Sequence, residues 1–452
     1  MSETIKTLAE LQAASQAASA AGTRLTYLFD EGKYTELDAY AGGSEQGGVI
    51  TAFGYADGEP VYAFSQNMEV RKGAMTKVCA GKIAKIYDLA AKTGAPVVGI
   101  YDSYGADVED GAQALAAYGE LMACVAELSG VVPQIAVVAG VCSGSSAMLA
   151  ASADFTVIAK EGSLYVAPNS DANGEDAVAN GTACAVCEDD KAAVEKAREI
   201  LLKLPQNNLS PAPVYEFEEP ANVSATAEGI CDEGSVMELS EGFGKAAYTA
   251  LGSVNGSTVG VVATDKTQDK LTADDCTKIA RFVRVCDSFG IPVITLVDTA
   301  GFEADGDSEV KGAVRSMAKL SHAYAEATTV KISVVKGKAY GPAYIALAGK
   351  GSNSDVSYAL PEAVISPLDP VTAVEFLEHD KLKGAEDLTT ARNALADEYA
   401  KTKASAAYAA SKGCVDGVVE VSSLRQTLVA ALDMMSGKRI SRLPKKHSNI
   451  QL

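Results

Sequence analysis

The chain has 452 residues, 48% of them hydrophobic and 22% charged, with a formal net charge of −20. That length exceeds one ordinary core and asks for two or three domains, while the acidity argues against nucleic acid as a partner. No apolar run is long enough to cross a bilayer, the opening Met1-Ser-Glu-Thr-Ile-Lys6 lacks the basic-then-apolar form of a secretory leader, and nine scattered cysteines fit reduced thiols in the cytoplasm.

In chain order, Asp30-Glu-Gly-Lys-Tyr-Thr-Glu36 precedes a predicted hairpin turning at Asp57-Gly58. Lys77 to Lys92 reads as a helix, and a Gly-x-Pro break leads into the β-branched strand Pro96 to Asp102. A second helix follows. Then comes the apolar run from Ile135 into a glycine turn, Gly140-Val-Cys-Ser-Gly144-Ser145. Asn169 to Asn222 holds an acidic Gly/Asn-rich loop, a helix from Lys191 to Lys203, and a linker punctuated by Pro211, Pro213 and Pro220, which places a boundary near residue 222. The order then repeats. Asp232-Glu-Gly-Ser-Val-Met-Glu238 precedes a hairpin at Asn255-Gly256. The helix Asp275 to Ser288 puts Ile279, Phe282, Val283 and Cys286 at core spacing, and the strand Pro292 to Asp298 follows. A second apolar run from Ile332 enters Gly337-Lys-Ala-Tyr340-Gly341-Pro342-Ala343. Ile332 follows Ile135 by 197 positions, and Gly341 follows Gly144 by the same interval. A helical region is expected from Pro370 to about residue 436, before a basic tail from Lys438 to Ile450.

Alternating strands and helices imply an α/β fold with parallel strands and right-handed crossovers, its ligand site at the carboxyl ends of the strands. Asp102, Asp298 and both glycine turns fall there. A glycine turn that opens a helix aims backbone N–H groups outward. Such donors stabilise an oxygen that gains charge as an enolate forms, by about 3–4 kcal/mol each. Gly140-Val-Cys142-Ser-Gly144 also fits a nucleophile elbow with cysteine, for which His322 or His379 would be the base. The equivalent second-half residue is Ala339, however, so the turn does not depend on a nucleophile, and Cys142 is read as a small buried residue. Asp298-Thr-Ala-Gly301 has the look of a GTPase metal-side motif, but no phosphate loop precedes it. Cys184 and Cys187 have ligand spacing without a second pair, and no metal site is assigned. Arg71, Lys72, Lys77, Lys82 and Lys85 read as a solvated helix face, with an anion-binding patch as the alternative.

These strings resemble the carboxyltransferase subunits of biotin-dependent acyl-CoA carboxylases and decarboxylases. The resemblance rests on Lys92 to Ser103, Gly130 to Gly140, Ala280 to Asp298, Ala323 to Thr328, Lys338 to Gly341, Asp355 to Pro361 and the closing Lys438 to Ile450. It implies an α/β chain of two duplicated crotonase-like domains, residues 1–222 on the acyl-CoA side and 223–452 on the biotin side. It implies carboxyl transfer between carboxybiotin and a short acyl-CoA through an enolate, with Gly144 and Ser145 holding the thioester oxygen and Gly341 and Ala343 the biotin oxygen. Gly105, Ala106, Gly140, Gly301, Tyr340 and Pro342 would line the ligands. The family's Gly-Gly at the first turn is Gly144-Ser145 here, and its Gly-Gly-Ala at the second is Gly341-Pro342-Ala343. Its Asp-Ser-Gly-Gly-Ala-Arg is Asp102-Ser-Tyr104-Gly-Ala-Asp107. The sequence holds no biotinylation motif and no ATP-binding carboxylase domain. A biotin carboxyl carrier protein, and a biotin carboxylase or membrane decarboxylase subunits, would therefore be separate chains. The implied assembly is a homo-oligomer, dimer or hexamer. The alternative is a catalytically degenerate homologue that serves as a binding or assembly subunit.

Overall fold

A computed structural model describes residues 7–42, 46–167, 170, 172–440 and 442–450. The opening hexapeptide, Asn169 at the start of the linking segment and Ser441 of the basic tail lie outside the described residues. The chain divides into two compact units, one ending at Pro213 and the other beginning at Val214.

In the first unit α1 (Leu8–Ser15) and α2 (Ala20–Leu28) precede β1 (Tyr34–Leu37), β2 (Val49–Ala56) and β3 (Glu59–Gln66). Next come α3 (Lys77–Thr93), β4 (Val97–Ser103), α4 (Ala112–Leu128), β5 (Gln134–Ser143) and α5 (Ser145–Ala150). The unit closes with β6 (Phe155–Ala159), β7 (Ser163–Tyr165), α6 (Gly174–Ala179), β8 (Ala185–Cys187) and α7 (Asp190–Leu202). The strands form one sheet in the order β1-β2-β3-β4-β5-β6-β8, with β7 beside the end of β5. Pairing is parallel from β3 onward. Both faces of these strands are covered, which is why they read as continuous apolar runs. Phe64, Ile83, Ile86 and Leu121 are among the fully buried side chains packed there.

The second unit runs α8 (Ala227–Ile230), β9 (Met237–Glu238), β10 (Tyr248–Val254), β11 (Ser257–Ala263), β12 (Lys270–Leu271), α9 (Ala273–Ser288), β13 (Val293–Thr299) and β14 (Gly301–Phe302). It continues through α10 (Gly306–Val310), α11 (Ala313–Glu326), β15 (Lys331–Tyr340), α12 (Pro342–Ala348), β16 (Val356–Ala359) and β17 (Val364–Ser366). The final segment is α13 (Pro370–Leu377), α14 (His379–Lys383), α15 (Leu388–Thr402), α16 (Ala406–Ser411), β18 (Gly417–Val418) and α17 (Val421–Met435). The sheet order, β9-β10-β11-β13-β15-β16-β18 with β17 beside β15, repeats that of the first unit. Helix dominates after Pro370 as expected, except that the two-residue β18 adds to the edge of β16. A strand that short carries no periodicity to read.

The duplicated motifs have a common physical basis. Both hairpins turn through two positive-φ residues, Asp57 (53°) with Gly58 (78°) and Asn255 (50°) with Gly256 (78°), the backbone that two-residue hairpins favour. Asp30 accepts the N–H groups of Asp57 and Gly58, both at 2.9 Å. Asp232 accepts those of Asn255 and Gly256 at 3.0 and 2.8 Å. An arginine from the last helix of each unit completes the tie, Arg198 to Asp30 at 2.6 Å and Arg425 to Asp232 at 2.7 Å. The recurring Asp-Glu-Gly is therefore a hairpin anchor.

The first crossover helices also bury an equivalent lysine. Lys82 Nζ donates to the Val49 carbonyl at 2.7 Å, and Lys278 Nζ to the Ala247 carbonyl at 2.7 Å. Lys82 thus leaves the expected basic patch, in which Arg71 pairs with Asp107 and Lys85 with Asp38. Burial pulls the Lys278 ammonium down from 10.5 to about 8. Between those values the unfolded chain holds more protons than the folded one, so the contribution of Lys278 to stability rises with pH across that window. Urea denaturation should show wild type gaining about 2–3 kcal/mol on Lys278→Met between pH 8 and pH 10. Parallel pH profiles for the two proteins would contradict this.

Candidate active site

The strands leading into the glycine turns, β5 and β15, slip register against their neighbours, opposite Tyr101 to Ser103 of β4 and opposite Val297 to Thr299 of β13. An aspartate fills each break. Asp102 Oδ1 accepts the Val141 N–H at 3.1 Å, and Asp298 Oδ1 accepts the Lys338 N–H at 2.8 Å. Gly140 and Gly337 face these carboxylates so closely that a Cβ on either would stand 2.4 Å from a carboxylate atom. Gly140, a candidate ligand contact, is thus required by packing against Asp102. Asp102 is further held by Arg24, which sequence reasoning did not single out. Arg24 Nη1 meets Asp102 Oδ2 at 2.8 Å, and its Nε meets Asp190 of α7 at 2.8 Å. Burial opposes the charge on Arg24, but the bonds to Asp190 and Asp102 more than offset it and hold its pKa above the ordinary value.

The two turns have nearly the same backbone. Gly144 sits at φ 60°, ψ −125° and Gly341 at φ 54°, ψ −131°, a region that glycine adopts without steric cost. Each glycine N–H is committed to the neighbouring short strand, Gly144 to the Tyr165 carbonyl at 2.9 Å and Gly341 to the Ser366 carbonyl at 2.8 Å. In the first turn the next N–H, that of Ser145, has no acceptor among the described residues, and Ser145 is partly exposed. In the second turn the same position is Pro342, exposed and without an N–H. One residue further, Ser146 and Ala343 are both 0% exposed.

The strand-end loops are equally matched. Ser103 Oγ accepts the Gly105 N–H at 3.0 Å, and Thr299 Oγ1 accepts the Gly301 N–H at 3.2 Å. Gly105, at φ 100°, lies so near the first turn that a Cβ would stand 3.0 Å from the Ser143 carbonyl oxygen. The next residue, Ala106, is partly exposed, and its N–H has no acceptor among the described residues. The first unit therefore offers two uncommitted N–H donors from adjoining segments, Ala106 and Ser145. The acid that departs from the family pattern, Asp107, is neutralised locally. Arg71 grips it through Nε and Nη2 at 2.6 and 2.7 Å, and this pairing holds the carboxyl below its ordinary range. Tyr104 is exposed, with the Lys72 ammonium 5.8 Å from its ring centroid. In the second unit Tyr340 is partly exposed. Burial, then the charges of Asp369, Asp298 and Asp269, push its phenol up to about 12.

Cys142 is 0% exposed, and burial pushes its thiol up to about 12. It stays protonated at neutral pH and is no elbow nucleophile. His322 Nε2 is hydrogen-bonded to Ser448 Oγ at 2.8 Å.

In each unit a glycine turn sits at the carboxyl end of a parallel strand, and the first turn has a backbone N–H without an acceptor among the described residues. The carboxyl transferase domain family matches residues 15–450, and the chain belongs to it. Methylmalonyl-CoA decarboxylase subunit alpha of Propionigenium modestum is 35% identical over 95% of this chain and 92% of that relative. The propionyl-CoA carboxylase carboxyltransferase subunit of Haloferax mediterranei is likewise 35% identical, with the same coverage. A crystal structure of transcarboxylase 12S, a hexamer with methylmalonyl-coenzyme A and methylmalonic acid bound, superimposes with a TM-score of 0.90 at 31% identity, covering 98% of this chain and 94% of that one. The α/β fold of this chain is accordingly crotonase-like, and the chain is a carboxyltransferase of the acyl-CoA carboxylase and decarboxylase class.

Proposed function

We propose that the chain moves a carboxyl group between biotin, borne on a separate carrier protein, and a short-chain acyl-CoA, in the direction of carboxylation or its reverse. The observation that carries this reading is the pair of uncommitted N–H groups at Ala106 and Ser145, brought together where Gly105 meets Ser143. They would receive the thioester oxygen. As the α-carbon loses a carboxyl group or a proton, charge moves onto that oxygen, and each donor would stabilise it by about 3–4 kcal/mol. Gly144 sets the turn that aims the Ser145 donor, and Gly140, packed on Asp102, lets the strand reach it. The acyl-CoA side is assigned to the first unit. Gly301, Tyr340, Gly341, Pro342 and Ala343 of the second unit border the biotin side, where the ureido group supplies the carboxyl acceptor or donor. A cytoplasmic homo-oligomer, dimer or hexamer, working with a carrier protein and with biotin carboxylase or membrane decarboxylase subunits, fits this reading. Among the described residues no helix is long and apolar enough to cross a membrane.

The test is incubation with methylmalonyl-CoA or malonyl-CoA and free biotin, with the decarboxylated acyl-CoA followed by chromatography. Turnover is expected, with acyl-CoA binding visible by calorimetry. A folded protein with neither binding nor turnover would favour an assembly subunit instead.

A further inference from the structure

We infer that the second turn of this chain has lost its oxyanion donor, and that Pro342 is the cause. The inference rests on the carboxyltransferase reading and concerns only the side assigned to biotin. Three backbone positions could have supplied a donor at Gly341-Pro342-Ala343. The Gly341 N–H is spent on the Ser366 carbonyl at 2.8 Å. Its counterpart Gly144 is spent in the same way on Tyr165, so this commitment belongs to the turn and not to a local accident. Pro342 is exposed at the position where Ser145 presents a free N–H in the first unit, but its ring nitrogen carries no hydrogen. Ala343 has an N–H, yet the residue is 0% exposed, so no ligand oxygen reaches it without displacing the turn. The near-identical dihedrals of Gly144 and Gly341 exclude a different backbone as the explanation. Proline is well tolerated at the first position of a helix, because the N–H it lacks has no helical partner there. The substitution therefore keeps the shape of the turn and removes its chemistry. The duplicated fold keeps two free donors at the first turn and its adjoining loop, and none on the second turn. As it stands, that turn does not fit an anionic ureido oxygen.

The experiment uses the whole 452-residue chain with Pro342→Ala and Pro342→Gly. Each variant restores an N–H, and alanine does so without added chain flexibility. Saturation-transfer NMR should show free biotin binding about tenfold tighter in both variants, the scale of one recovered hydrogen bond. Biotin-dependent decarboxylation of methylmalonyl-CoA should rise about 10²-fold in kcat with KM for the acyl-CoA unchanged. No gain in either readout would overturn the inference, and a gain confined to Pro342→Gly would overturn it too, because flexibility and not the donor would then be responsible. Calorimetric binding of acyl-CoA by the wild type separates the levels. If it is present while the variants stay silent, only this inference fails; if it is absent, the carboxyltransferase reading fails with it.

Discussion

Ser145→Pro is expected to lower turnover of a carboxyacyl-CoA by about 10²–10³-fold while leaving the melting temperature nearly unchanged. The chain already shows that its turn accepts proline, since Pro342 follows Gly341 at dihedrals within a few degrees of those at Gly144. Residue 145 is the first residue of α5, where proline costs a helix nothing in hydrogen bonds. What disappears is one free N–H. An uncharged thioester oxygen gains little from it, whereas an enolate oxygen gains much, so the loss should fall on kcat and only weakly on KM. Ser145→Ala keeps the N–H and serves as the control, with turnover close to wild type. Steady-state kinetics alongside thermal melts make the comparison. Full activity in Ser145→Pro would remove this turn from the oxyanion site, and a collapsed melting temperature in Ser145→Ala would show that the hydroxyl, not the N–H, matters there.

Much of this architecture is written in the sequence because the chain says it twice. The Asp-Gly and Asn-Gly hairpins, the Gly-x-Pro breaks before β4 and β13, and the apolar entries to β5 and β15 are local signals. Each is set by backbone sterics or by burial on both faces of a parallel sheet. The repeated Asp-Glu-Gly was visible as a string, but its role as the acceptor for both hairpin N–H groups was not. Which donors remain free at the turns was hidden as well. It depends on β7 and β17, three-residue strands with no readable period, whose ends consume the glycine N–H groups. In the sequence, Asp107 stands as a reversed charge against the family pattern, yet the side chain is only 5% exposed. Only the fold reveals that Arg71, 36 positions earlier, cancels it. Arg24 gave no signal at all, because one arginine lies 78 positions from one partner and 166 from the other.

That silent residue should be the costliest to lose. Arg24→Met is expected to destabilise the protein by about 3–5 kcal/mol, because it strands the Asp102 carboxylate in a site where the two side chains are only 9% and 8% exposed. The bond to Asp190 adds less, since that carboxylate is 37% exposed and can return to water. Asp102 also holds the Val141 N–H at the bulge of β5, three residues before Gly144. Turnover should therefore fall even at temperatures where the variant stays folded. Adding Asp102→Asn to Arg24→Met should recover part of the stability. It removes the uncompensated charge while the amide oxygen still accepts from Val141. Urea denaturation of the two single variants and the double variant measures the coupling, and a cost below about 1 kcal/mol for Arg24→Met would contradict it. The second unit supplies an internal comparison. Asp298 makes the equivalent bond to the Lys338 N–H, but it is partly exposed and forms no ion pair among the described residues. Asp298→Asn should accordingly cost less than about 1 kcal/mol, so the same aspartate in the same bulge is expected to matter several-fold more where an arginine has been buried against it.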